Sequence, residues 1–149
     1  MPHFGLMNTE DSFKSEEGAM LRARLHIRAG KRRLRQGKIS SGIVTLYDAL
    51  LFAMESYIMS PERREKLDIR EGEDLKNDRT LYAVLTRSGV LDGKFDYEAF
   101  DRLIGEEAAE EMPGYDYKWI LYGVESVMTQ LGVMPFDEAA LPPEDPKTF

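Results

Sequence analysis

Between Ile43 and Ile58, apolar residues return every three or four positions: Ile43, Leu46, Tyr47, Leu50, Leu51, Met54, Tyr57 and Ile58. That spacing places them on one broad face of an α-helix. Ala49 and Ala53 interrupt the large side chains and admit a close neighbour. A helix this apolar needs cover, so the remainder of the chain must pack around it. The helical rhythm recurs more weakly elsewhere, while strand-like runs are short; Gly42–Thr45 is β-branched but embedded in the helical period. The expected fold class is therefore all-α, a helical bundle of four or five main helices with short connections.

Punctuation marks supply the boundaries. Glu16 and Glu17 followed by Arg32, Arg33 and Arg35 suit the two ends of a first helix running from Ser15 or Glu16 to Gln36, stopped at Gly37. Its apolar stripe is expected through Leu21, Leu25 and the Arg28/Ala29 position, widened by Arg and Lys stems. The second helix begins at Ser40 or Ser41. Ser60-Pro61 ends it or opens a short turn, and the charged stretch to Asp78 reads as a short helix and a loop. A third helix spans Asp78 or Arg79 to Ser88. A fourth follows Asp96 and reaches Glu111, before the break at Pro113-Gly114. The last is capped by Asp116 and closed by Gly132. Residues 1–14 are expected to be a flexible N-terminal segment, 15–134 the bundle, and 135–149 a proline- and acid-rich tail lying along the surface or mobile.

Charge is distributed very unevenly. From Ala19 to Tyr47 stand eight cations (Arg22, Arg24, Arg28, Lys31, Arg32, Arg33, Arg35 and Lys38) and no acid, leaving 12 basic against 27 acidic residues elsewhere in a chain of formal charge -7. Such a helix must face something negative: acids of its own molecule, a partner protein, or nucleic acid. Arg24, Arg28, Lys31 and Arg35 share a face and are the interaction or anion-binding candidates. Ser41 joins them, because a helix start at Lys38–Ser41 presents hydroxyls and free N–H groups. Pairing with protein carboxylates ranks ahead of nucleic acid, since the other segments would repel a phosphate backbone.

The chemistry-bearing residue types do not assemble into a catalytic signature. Asp48 and Glu55 lie seven residues apart on the second helix and are expected to act as internal ion-pair partners for the arginines. A cation held between them would need a third ligand, and no metal or cofactor is expected. Glu106, Glu107, Glu110 and Glu111 lack the histidines of carboxylate-bridged metal bundles. The chain has no cysteine, which removes disulfides and thiolate sites. His3 and His26 are the two imidazoles, and no nucleophile, base and acid set can be named. Tyr117, Trp119 and Tyr122, just after Pro113-Gly114, are the groove or interface candidates. With no secretory signal and no long apolar run, a cytoplasmic, non-membrane location is expected.

The segment from Ala23 to Lys38, followed by Ile43 to Glu55, resembles the helical-bundle domains called HEPN. There a helix stops at a glycine before a short polar link, and the next carries small and aromatic residues through the core. Gly37 and the set Tyr47, Ala49 and Ala53 match that outline, and Tyr115-Asp116-Tyr117 is similar to the later aromatic helix start. The resemblance covers about residues 18 to 130 and implies a bundle that dimerises. The ribonuclease branch of the family uses an arginine and a histidine near the start of a late helix, whereas no histidine follows His26 here. No catalytic residue carries over, so the resemblance implies a non-catalytic member.

The resulting expectation is a non-catalytic interaction or regulatory module with a homodimeric or heterologous protein partner. Nucleic-acid binding through the basic first helix is one alternative, and a metal-dependent hydrolase using Asp48 and Glu55 is another.

Overall fold

The computed structural model describes residues 15–148; the expected flexible segment 1–14 and His3 lie outside them. The order is α1 (Glu16–Arg35), α2 (Ile39–Ile58), α3 (Pro61–Glu65), α4 (Asp78–Arg87), α5 (Tyr97–Glu106) and α6 (Lys118–Gln130), followed by two 3₁₀ turns, Glu138–Ala140 and Pro146–Thr148. Among the described residues there is no strand, and the fold is an all-α bundle with five substantial helices. None of these helices is long and apolar enough to cross a membrane.

The two longest helices form the most extensive pair. Ser15 caps α1 by accepting from the Gly18 amide at 2.9 Å, and Gly37, at φ 79°, turns the chain back through a left-handed conformation. The returning helix α2 then lies against α1. Its seam is built from small residues: a Cβ added to Gly30 would stand 2.8 Å from Leu46 Cδ2, and one added to Gly42 would stand 2.7 Å from Leu34 Cδ2 and 3.1 Å from the Leu34 amide nitrogen. The buried face of α1 thus runs through Ala19, Ala23, Ile27, Gly30 and Leu34. This corrects the expected stripe: Leu21 and Leu25 are only half-buried and sit on a different face. The physical reason is backbone proximity, which favours Gly and Ala over Leu wherever two helices touch closely.

Leu46, Leu50, Ala53 and Met54 of α2 also belong to a core completed by Leu81, Val84 and Leu85 of α4, Phe100 and Leu103 of α5, and Ile120, Val124 and Met128 of α6. Asn77 and Asp96 cap α4 and α5, each accepting a hydrogen bond of 3.0 Å. The fourth main helix, α5, stops at Glu106 and does not reach Glu111 as expected. Residues 107–110 form turns, with the Glu107 and Ala108 amides both donating to the Leu103 carbonyl. Glu106, Glu107, Glu110 and Glu111 would stack like charges on the negative end of the helix dipole, which opposes extension. The last helix starts at Lys118, without the expected Asp116 cap; Asp116 instead accepts from the Lys118 amide at 3.2 Å.

The long connection between α3 and α4 is irregular but anchored. Arg87, at the end of α4, hydrogen-bonds both the Asp68 carbonyl and the Glu73 carboxylate, the latter at 2.5 and 3.0 Å. The Arg87 guanidinium holds the Glu73 carboxyl down at about 2.

Candidate functional site

The outer face of α1 is where the cations gather, and residues 133–145 run beside it in the same direction. Arg24 Nε donates to the Val133 carbonyl at 2.9 Å, and its guanidinium lies 5.3 Å from the centre of the Phe136 ring. One turn on, Arg28 Nη2 donates to the Pro142 carbonyl at 2.7 Å. One further turn on, Arg32 Nε donates to both carboxylate oxygens of Glu144, at 3.2 and 3.1 Å. Three arginines at four-residue intervals therefore hold the tail segment at successive points. Leu21 and Leu25 line the cavities between α1 and this segment, so the stripe that resembled a core face is a seat for the tail.

The remaining cations divide into engaged and open ones. Lys31 pairs with Glu125 of α6 at 3.1 Å, and Arg33 donates to the Thr45 hydroxyl at 2.6 Å. Thr45 in turn donates to the Ser41 carbonyl at 2.7 Å. Ser41 itself is exposed. Arg35 and Lys38 are exposed and in no ion pair among the described residues. Of the four candidates on one face, Arg24, Arg28 and Lys31 are thus held within the molecule, while Arg35 is open. The residues that hold them, Val133, Pro142 and Glu125, were not singled out in the sequence, nor was Glu144, which holds Arg32. Two of those contacts use main-chain carbonyls, which no side-chain pattern reveals; Glu144, in an acid- and proline-rich run, was the available signal.

Asp48 and Glu55 are half-buried on α2 and take part in no ion pair among the described residues. Burial raises both carboxyls above their ordinary values. For Asp48 the nearby His26 partly offsets this, and for Glu55 the charge of Asp78 adds to it. Glu55 and Asp78 line a cleft of about 600 Å³ shared with Arg64, Lys76 and Leu81. Among the described residues, no group of three or more His, Asp or Glu side chains is arranged to hold a metal ion.

A second polar network escaped the sequence reading. Tyr47 of α2 donates to Asp101 at 2.8 Å and lies 3.0 Å from the Tyr97 hydroxyl, while Arg79 of α4 holds the other Asp101 oxygen at 2.6 Å. Burial pushes Tyr97 up to about 12 and Tyr47 higher still, whereas the Arg79 hydrogen bond draws Asp101 down. Neither phenol is poised to act as a base near neutrality, and the network ties α2, α4 and α5 together.

The aromatic candidates sit on or beside α6. Tyr117 is half-buried against the core, but Trp119 is 38% exposed and Tyr122 is 64% exposed. Trp119 Nε1 donates to the Tyr115 hydroxyl at 3.0 Å, and the indole lies 6.0 Å from the Phe95 ring. Phe95 presses on the helix so closely that a Cβ on Gly123 would stand 2.0 Å from it. Glycine at 123 makes room for the ring that supports Trp119. The outward stripe of α6 reads Lys118, Trp119, Tyr122, Ser126 and Thr129, without an acid. Compared with protein-family models, with curated proteins and with solved structures, the chain matches none.

Proposed function

We propose that this protein is a non-catalytic helical interaction module that pairs with a second copy of itself through the outward face of α6. The observation that carries the reading is the exposed Trp119, supported by Tyr115 and Phe95, with the exposed Tyr122 one turn on, on a helix whose other face is core. Large rings held in place lose little freedom on association and can exclude water over a wide area. The acid-free stripe matters for a molecule of net charge -7, because two copies meeting elsewhere would oppose like charges. A two-fold interface presents the same patch on both sides, so an aromatic stripe with a single charge, Lys118 at its end, suits it. The HEPN-like resemblance, with Gly37 ending α1 and Tyr47, Ala49 and Ala53 on α2, supports the same dimerising, non-catalytic reading. A cytoplasmic location is part of it. Light scattering across the micromolar range tests it: a dimer that Tyr122→Glu converts to monomer, with unchanged helical content, is the expected result. A monomer at every concentration overturns it. A heterologous partner captured through the same face would keep the module and replace the second copy.

Nucleic-acid binding by Arg24, Arg28, Lys31 and Arg35 has less support, because three of the four already hold groups of their own molecule.

A further inference from the structure

Between α1 and the tail lies a cavity of about 220 Å³, lined by His26, Arg28, Arg32, Arg33, Thr45 and Glu144 among others. We propose that it is an oxyanion site for a small phosphate-type dianion, in which the Glu144 carboxylate is the internal competitor. Three guanidiniums converge on this space. The carboxylates beside them are Glu144, bound to Arg32, and Asp145, so cations outnumber anions. Arg28 and Arg33 are in no ion pair among the described residues.

The donors are also incompletely used. Arg28 Nη2 reaches the Pro142 carbonyl, but Arg28 Nε is buried with no acceptor among the described residues. A buried N–H without a partner is costly, and a second acceptor in the cavity would remove that cost. Arg33 is turned onto a neutral hydroxyl, Thr45 Oγ1, which is a weaker partner than an anion. Guanidinium groups donate in a planar fork that fits two oxygens of one oxyanion, and here two such groups flank a third already gripping a carboxylate. Glu144 thus shows which chemistry the site accepts: a group with two negative oxygens. A phosphate dianion offers more acceptors and more charge than the carboxylate it would displace.

The ladder arrangement makes displacement local. Arg24 holds the tail at Val133 and Phe136 independently of Glu144. Residues 142–145 can therefore yield their place while the start of the tail remains docked. None of the α6 face residues of the proposed dimer takes part.

Calorimetric titration of the full chain with inorganic phosphate, against chloride at matched ionic strength, tests the proposal. Saturable one-to-one binding of phosphate alone is expected. Arg28→Gln should weaken it about tenfold, the effect of losing a charged hydrogen-bond donor. Glu144→Gln should tighten it, because the competing carboxylate is gone; a merely structural role for Glu144 would not produce that gain. Tyr122→Glu should leave phosphate binding unchanged, which separates this site from the dimer face. If Arg28→Gln fails to fold, the direction of Glu144→Gln decides. No saturable heat in either the native protein or Glu144→Gln overturns the proposal. So does an equal response to chloride, or an RNA oligonucleotide that binds Glu144→Gln where phosphate does not.

Discussion

Helix α1 is held on two sides by two different kinds of physics. Toward α2 it presents Ala19, Ala23, Ile27, Gly30 and Leu34, and the fit depends on shape. Toward the tail it presents Arg24, Arg28 and Arg32, and the fit depends on hydrogen bonds to carbonyls and a carboxylate. The first seam is buried and close-packed, so it tolerates neither added nor removed atoms. The second is partly exposed and charged, so each contact contributes less and responds to salt. A helix of low overall hydropathy is thereby built into a fold through glycine and alanine on one side and arginine on the other.

Substitutions can break this contrast in order of size. Leu46→Ala, at a fully buried position against Gly30, should lower stability by about 2–5 kcal/mol in denaturant unfolding, the range for deleting a buried leucine side chain. Gly42→Ala should follow at about 1–3 kcal/mol from overpacking, because the new methyl meets Leu34 backbone as well as side chain. A stabilised Gly42→Ala protein would mean the seam is looser than described. On the other side, Arg32→Gln should cost about 1–3 kcal/mol, since it removes a charged donor from a nearly buried pair. Its cost should shrink modestly in high salt, because a nearly buried pair is only partly screened, while that of Leu46→Ala should not change. An Arg32→Gln effect insensitive to salt would erase the distinction between the seams.

The smallest effect concerns a half-buried charge with no ion-pair partner among the described residues. Glu55 has its carboxyl raised by burial, so ionising it opposes folding; the penalty is present above the folded value and is relieved as pH falls through it. Glu55→Gln should therefore stabilise the protein at neutral pH, by less than about 1 kcal/mol for a half-exposed group. The gain should vanish on acidification. Equal unfolding midpoints at neutral pH would show that Glu55 finds compensation in solution.

These two seams were unequally legible in the sequence. A bundle of four or five main helices, the glycine stops at Gly37 and Gly132 and the apolar period of α2 follow from local rules, and the structure has five such helices and both stops. The face of α1 that meets α2 did not follow, because a stripe of Leu outscores a stripe of Ala and Gly in any hydrophobic count. Close approach rewards the smaller side chains, and that is a property of the pair. Arg24, Arg28 and Lys31 were identified as cations in need of partners, yet the partners lie about a hundred residues away and include bare carbonyls. Asp48 and Glu55, one helix away, looked like the natural acceptors and pair with none of them among the described residues. Trp119 and Tyr122 were visible as an aromatic cluster; the role of Gly123 beneath them became clear only through Phe95.

The 112 positions that separate Arg32 from Glu144 have a temporal meaning. Translation adds about 5–20 residues each second, so roughly 6–22 s pass between the appearance of the guanidinium and of its carboxylate. During that interval α1 can dock on α2 while its outer row stays bare, next to ribosomal RNA. The newborn helix is a polycation in a strongly anionic neighbourhood, and Arg32 gains its carboxylate only when residue 144 arrives.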